Sequence, residues 1–173
     1  MVRLMKKWNF KNILKEILST LLIIFVISMV LNYIRKPDTS DKLIDIKALD
    51  IYQNEINFTK LAKKDAPTVI HFWATWCPTC KLEAPNIEAL KNSCNVITIA
   101  VNSGSNKELK SFMSQRDFTY RVINDQDSSL AKQFGVAVYP TTFIYDSNGS
   151  LKFSEVGYST TVGLKARVAF IRD

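Results

Sequence analysis

From Ile17 to Ile34 the chain passes through eighteen positions without a charge, most of them Ile, Leu, Val, Phe or Met. No polar face recurs at helical spacing, so the run is apolar all round. As a helix it would extend about 27 Å, close to the hydrocarbon thickness of a bilayer. Ser19, Thr20 and Ser28 are compatible with this, because their hydroxyls can bond back to helix carbonyls. The run therefore predicts one transmembrane helix over residues 17–34, with a basic segment (1–16) before it and a polar linker (35–42) containing Pro37 after it. A cleaved signal peptide would have a shorter apolar stretch followed by small residues at the cut. Here the stretch ends in Val30-Leu31-Asn32-Tyr33-Ile34.

Beyond the linker the pattern changes to short runs. Weak alternation through Ile44, Ile46, Leu49, Ile51 and Ile56 predicts a small strand pair, and a short helix follows over Thr59–Lys64. Thr68–Trp73 and Asn95–Val101 are β-branched and apolar at nearly every position, as strands buried on both faces are. Pro78–Asn92 is helical in pattern, with Pro85 as a point of kinking. Helices are predicted at Asn106–Arg116 and at Asp127–Phe134, the latter with Asp127 as N-cap and Gly135 as its stop. A strand lies between them at Tyr120–Ile123. Thr141–Tyr145 and Leu151–Val156 flank the turn signal Asn148-Gly149, and a final helix covers Thr161–Ile171. Strands alternating with helices and closing on a hairpin predict an α/β domain with a central mixed sheet flanked by helices.

Charge sharpens this division. Residues 1–36 hold seven Lys/Arg against one acid, Glu16, whereas the remainder holds 16 basic and 15 acidic residues. The formal net charge of +7 is thus a property of the N-terminus. It suits a membrane flank and argues against nucleic acid as a partner, which would require basic residues clustered on the folded part. Five basic residues precede the apolar run and two follow it, which places the N-terminus in the cytosol and residues 35–173 outside.

Three cysteines are too few for a disulfide-stapled scaffold, but Cys77 and Cys80 have the spacing of a redox pair or of half a zinc site. A dithiol catalyst requires one accessible thiolate and a second sulfur within bonding range. At the start of a helix, unpaired N–H groups and the helix dipole stabilise the Cys77 thiolate, and residue i+3 lies over the same face. Pro78 suits the first turn, where its missing N–H is not used. On this reading Cys77 attacks and Cys80, more buried, resolves. Zinc would require further ligands, and Cys94 with His71, the single histidine, are the remaining candidates.

The stretch His71-Phe72-Trp73-Ala74-Thr75-Trp76-Cys77-Pro78-Thr79-Cys80-Lys81-Leu82-Glu83-Ala84-Pro85 resembles the active-site segment of thioredoxins. Its Pro-Thr dipeptide and Glu-x-Pro resemble the membrane-anchored TlpA/DsbE-like branch, nearest to the ScsD-like protein disulfide oxidoreductases. Gly135-Val136 with Tyr139-Pro140-Thr141-Thr142-Phe143, and the turn Asp146-Ser147-Asn148-Gly149, are similar to later signatures of that family. The resemblance covers roughly residues 43–173 and implies a thioredoxin-like fold for them. It implies that Pro140 is a cis-proline facing the CxxC, with Tyr139, Pro140, Thr141 and Trp76 at a substrate-binding rim. It implies no cofactor or metal beyond the redox-active Cys77–Cys80 disulfide. The implied partners are proteins with reactive cysteines and a membrane thiol reductase as electron donor, with the catalytic domain in the periplasm or outside the cell.

His71 departs from the family, standing where thioredoxins carry a buried acid; proton relay and core packing are both open to it. Glu83, one turn beyond Cys80, either tunes the pair's acidity or is a solvated helix-face residue, and the second is the default for a glutamate on a helix. Trp73 is expected in the core wall, and Cys94 as an inert core thiol. A module whose thiols only ligate copper or serve haem handling is the alternative to exchange.

Overall fold

The computed structural model describes residues 10–35, 37, 39–62 and 66–171. The chain divides into two compact units, Met1–Arg35 and Lys36–Asp173. The first contains helix α1, Phe10–Arg35, which begins seven residues before the uncharged run. Among the described residues, no helix is long and apolar enough to cross a membrane. The predicted membrane segment lies only partly within that description, because the side chains of Ser28, Met29 and residues 31–35 fall outside it, as do residues 1–9 of the basic segment.

The second unit is built on a five-stranded sheet in the order β5-β4-β3-β6-β7. Its strands are β3 (Thr68–Trp73), β4 (Asn95–Val101), β5 (Arg121–Asp125), β6 (Thr141–Tyr145) and β7 (Leu151–Val156). β3, β4 and β5 run parallel, while β6 and β7 are antiparallel to their neighbours, giving a mixed sheet. All six residues of β3 are buried, because both faces of the sheet are covered. Alternation sends Val69 and Trp73 into one apolar layer, with Ile87, Leu109, Met113, Leu164 and Val168. It sends Ile70 and Phe72 into the other, with Leu43, Ile46, Phe58, Phe134 and Phe143. Phe72 lies 5.2 Å from Phe134 and 6.0 Å from Phe143, centroid to centroid. Each such ring, fully withdrawn from water, contributes roughly 1.5–3 kcal/mol.

Before the sheet come the hairpin β1 (Lys47–Leu49) and β2 (Glu55–Asn57) and the short helix α2 (Phe58–Ala62). Lys42, before this hairpin, bridges Ser150, and Asp50, in its turn, bridges Ile123, so the segment passes from the β7 side to the outer edge of β5. The Asp50 carboxylate accepts the N–H groups of Tyr52 and Asn54 and closes the hairpin.

The remaining helices are α3 (Pro78–Glu88), α4 (Asn106–Ser114), α5 (Ser129–Gln133) and α6 (Thr161–Phe170). Two depart from the sequence expectation. α3 continues through Pro85 but stops at Glu88, and turns take over so that Leu90 is fully buried and its carbonyl accepts Ser93 and Cys94. α5 starts after Asp127, and its N-cap Ser128, with φ +61°, makes no side-chain cap bond. The buried Asp125 at the end of β5 instead accepts the Leu130 and Ala131 N–H groups at 3.1 and 2.9 Å. Asp127 accepts the Ser129 N–H at 3.1 Å.

Candidate active site

β3 delivers the chain to the C-terminal end of the sheet, where a tight turn (Cys77 N–H to Ala74 O, 3.2 Å) leads straight into α3. Cys77 is the N-cap in extended conformation, and Pro78 occupies the first helical turn. Cys77 and Cys80 form a disulfide with Cα atoms 5.3 Å apart. The Cys80 N–H donates to Cys77 Sγ at 3.2 Å, so one of the helix's otherwise unpaired donors is aimed at that sulfur. Cys77 is 5 % exposed and Cys80 1 %, the order expected of an attacking and a resolving sulfur.

Facing the disulfide is the loop before β6. The Tyr139–Pro140 peptide bond is cis, and the Tyr139 carbonyl oxygen lies 3.8 Å from Cys77 Sγ. The Thr141 hydroxyl donates to Val138 O and ties the loop to the head of the strand. Trp76 is 57 % exposed, stands edge-on to the Tyr139 ring at 5.8 Å, and donates its indole N–H to Asn102 O. Trp73 is buried in the core beneath.

Two buried titratable groups lie near the pair. His71 shares the side of β3 that carries Val69 and Trp73, and its Nδ1 is 2.9 Å from the hydroxyl of Thr142 across the strand pair. Burial lowers its pKa to about 3, so the imidazole is neutral at physiological pH. Glu83 corrects the solvated-residue expectation: it is fully buried. The physical reason is the facing of α3, which turns Cys80, Glu83, Ala84 and Ile87 inward together, with a segment after β7 laid across them. Burial is the main cause that raises the Glu83 pKa to about 8; the charge of Glu155 adds to it, and the hydrogen bond from the Ser159 N–H opposes it. Its Oε1 accepts that N–H at 3.2 Å, whereas Oε2 has no partner.

The segment Gly157–Thr160, between the last predicted strand and the last predicted helix, carries no motif of its own. It is tied to the cis-proline loop by Gly157 N–H to Pro140 O at 2.8 Å, and to α3 through Glu83 and Asn86. Asn102, whose carbonyl accepts the Trp76 indole N–H, belongs to no sequence motif; its φ of +46° is one of the few left-handed non-glycine values.

Cys94 does not join the site. It precedes β4, which runs parallel to β3, so it lies at the opposite end of the sheet from the CxxC, roughly 20 Å away along the strand. Cys94 is buried with its Sγ 3.6 Å from Leu90 O. A zinc set drawing on Cys77, Cys80 and Cys94 together does not converge, and the described residues hold no group of three or more potential metal ligands.

Comparison with known proteins agrees with this geometry. A thioredoxin-like protein of Haemophilus influenzae is 29% identical over 163 residues, covering 94% of this chain and 96% of its own. The sporulation thiol-disulfide oxidoreductase A of Bacillus subtilis is 28% identical over 112 residues, 61% of this chain and 68% of that protein. The fold is shared with a secreted Mycobacterium tuberculosis disulfide oxidoreductase homologous to DsbE of E. coli. That structure has a TM-score of 0.63 at 23% identity, covering 73% of this chain and 96% of the other. A secreted thiol-disulfide isomerase from Corynebacterium glutamicum superposes with a TM-score of 0.69 at 18% identity, over 79% and 95% of the two chains. With residues 39–154 matching the AhpC/TSA family model, the chain belongs to that family.

Proposed function

We propose that this protein is a thiol–disulfide oxidoreductase acting on cysteines of other proteins outside the cytoplasmic membrane, held there by α1. The observation that carries the chemistry is Cys77 Sγ at a helix start, accepting the Cys80 N–H while lying 3.8 Å from the carbonyl beside the cis-proline. In the reducing direction, the Cys77 thiolate displaces one sulfur of a substrate disulfide as a thiolate, giving a mixed disulfide. Cys80, losing its proton, then attacks Cys77 and releases the second substrate sulfur. Two electrons pass to the substrate and the Cys77–Cys80 disulfide remains. A thiol donor such as a membrane reductase would return the pair to the dithiol; the reverse sequence oxidises substrates with the same groups. The site calls for no cofactor beyond its own disulfide.

Tyr139 would offer its backbone to an extended substrate segment, with Pro140 presenting no competing N–H, Thr141 fixing the loop and Trp76 forming an apolar rim. Glu83, one turn past Cys80 on the same helix face, is the group suited to take and return the Cys80 proton near neutral pH. His71, neutral and hydrogen-bonded to Thr142, supports the strand from which the CxxC emerges.

Replacement of Cys80 by Ala tests the division of labour. Cys80→Ala should accumulate mixed disulfides with partner proteins on non-reducing gels after acid quenching, and Cys77→Ala few. Equal absence of adducts from both, with stoichiometric metal in the wild type, would favour the ligating module instead. Anchoring is supported by the uncharged run inside α1, by eleven large apolar side chains at least half exposed between Leu14 and Val30, and by the basic flank before them. Alkaline phosphatase fused after Asp173 should be active; an inactive fusion beside an active cytosolic reporter at that position defeats the outward placement.

A further inference from the structure

Asn86 lies on α3 two turns beyond Cys80, and both polar atoms of its amide are committed to one segment. Its Nδ2 donates to the Tyr158 hydroxyl at 3.2 Å and to Ser159 O at 2.9 Å, and its Oδ1 accepts the Thr161 hydroxyl at 2.6 Å. The same segment donates the Ser159 N–H to Glu83 and the Gly157 N–H to Pro140 O. Residues 157–161 thus form a strap stitched to the CxxC helix on one side and to the cis-proline loop on the other. Ser159 is itself buried, although Tyr158 beside it is 53 % exposed. Glu83, which accepts the Ser159 N–H, is fully buried.

We infer that Asn86 is a positioning residue for disulfide exchange: by pinning Tyr158, Ser159 and Thr161 to α3 it keeps the strap closed over Glu83 and excludes water from the carboxyl that handles the Cys80 proton. The inference rests on the role proposed for Glu83 above. An asparagine whose only task was to cap loose chain would need one of these three bonds. Here all three converge on the residues that flank the one N–H received by Glu83.

The titratable and charged groups around Glu83 are few. Cys80 is on its own helix; Glu155 of β7 is paired with Arg167 of α6 at 2.7 Å; Tyr158 belongs to the strap; and His71 of β3, on the same side of the sheet, is uncharged. The Glu155–Arg167 pair uses no atom of Asn86, Tyr158, Ser159 or Thr161. Opening the strap therefore changes the Glu83 carboxyl chiefly by hydrating it, which lowers its proton affinity. Loss of the Ser159 N–H acts the other way but is the smaller of the two causes.

The test follows the resolving step, in which Cys80 breaks a mixed disulfide with a fluorogenic peptide, by stopped flow from about pH 5 to about pH 10 on the full-length protein. Asn86→Ala should lower the inflection of that profile by about one pH unit or more, and Thr161→Val, which removes a single bond of the strap, should shift it less and in the same direction. Glu83→Gln should displace the inflection, leaving only the ionisation of the Cys80 thiol itself. Melting curves identify variants that retain the fold, and if Asn86→Ala does not, Thr161→Val carries the comparison. An inflection unmoved by loosening the strap but displaced by Glu83→Gln overturns the role of Asn86 and leaves that of Glu83. An inflection left at its wild-type position by Glu83→Gln removes both.

Discussion

Replacing Glu83 by Gln should make the protein more stable, and more so as the pH rises. In the unfolded chain this carboxyl ionises near its ordinary 4.5, whereas in the fold it holds its proton up to about 8. Between those limits the folded state binds the extra proton, so stability falls as pH rises through the window and levels off above it. Each pH unit in the window removes about 1.4 kcal/mol, which amounts to about 3 kcal/mol by pH 7 and about 5 kcal/mol from pH 8 upward. Against a total of roughly 5–15 kcal/mol for a domain this is a large fraction. Gln keeps the acceptor for the Ser159 N–H and leaves one unpartnered polar atom where Oε2 now stands, so the two side chains differ mainly in titration. Among the described residues, both apolar layers draw on positions from Leu43 onward, which makes the domain beginning at Lys36 a suitable object for unfolding. Urea curves of the oxidised domain, followed by the fluorescence of buried Trp73, should show the variant within about 1 kcal/mol of wild type at pH 5 and about 3 kcal/mol more stable at pH 7. Wild-type and variant curves that stay parallel from pH 5 to pH 8 would refute the dry, protonated glutamate.

His71 predicts the opposite limb. Its pKa is about 3 in the fold against an ordinary 6.5, so the unfolded chain takes up a proton first and stability is lost as pH falls from 6.5 toward 3. His71→Gln, keeping a partner for Thr142, should relieve about 3 kcal/mol of that loss at pH 4.5 in urea unfolding, and an unchanged acid limb would contradict it. Asp125→Ala removes the acceptor for two N–H groups at the start of α5 and should cost about 1–3 kcal/mol. Hydrogen exchange at Leu130 and Ala131 should accelerate in that variant, and protection equal to wild type would locate the cap elsewhere.

Much of this architecture is legible in the chain because its strongest signals are local. Thr68–Trp73, Asn95–Val101, Thr141–Tyr145 and Leu151–Val156 are runs whose ends are marked by Pro, Asn or Gly, and each forms a strand over those residues. The CxxC and the Tyr-Pro-Thr segment are likewise motifs that announce themselves. What stayed hidden depends on residues distant in sequence. Glu83 is indistinguishable from a surface glutamate until a segment 76 residues later covers it. The amide of Asn86 has no visible task without Tyr158, Ser159 and Thr161. Asp125 sits at the end of a strand, so local helix-start rules pass over it and choose Asp127, which accepts the Ser129 N–H.

The Cys77–Cys80 bridge joins residues only three apart. Tying off so short a loop removes little freedom from the unfolded chain, about 2 kcal/mol on a chain-entropy reckoning. The sulfur–sulfur bond is thus free to be a carrier of electrons because it is not relied upon as a rivet. Reduction can come and go with every turnover while the two aromatic and aliphatic layers, which extend over the whole sheet, keep the domain folded. By the same thermodynamic cycle, whatever small difference in stability separates the oxidised and reduced forms reappears in full as a bias on the ease of reduction. A change in the turn around Thr79 would therefore register as a change in redox poise before it registered as a loss of fold.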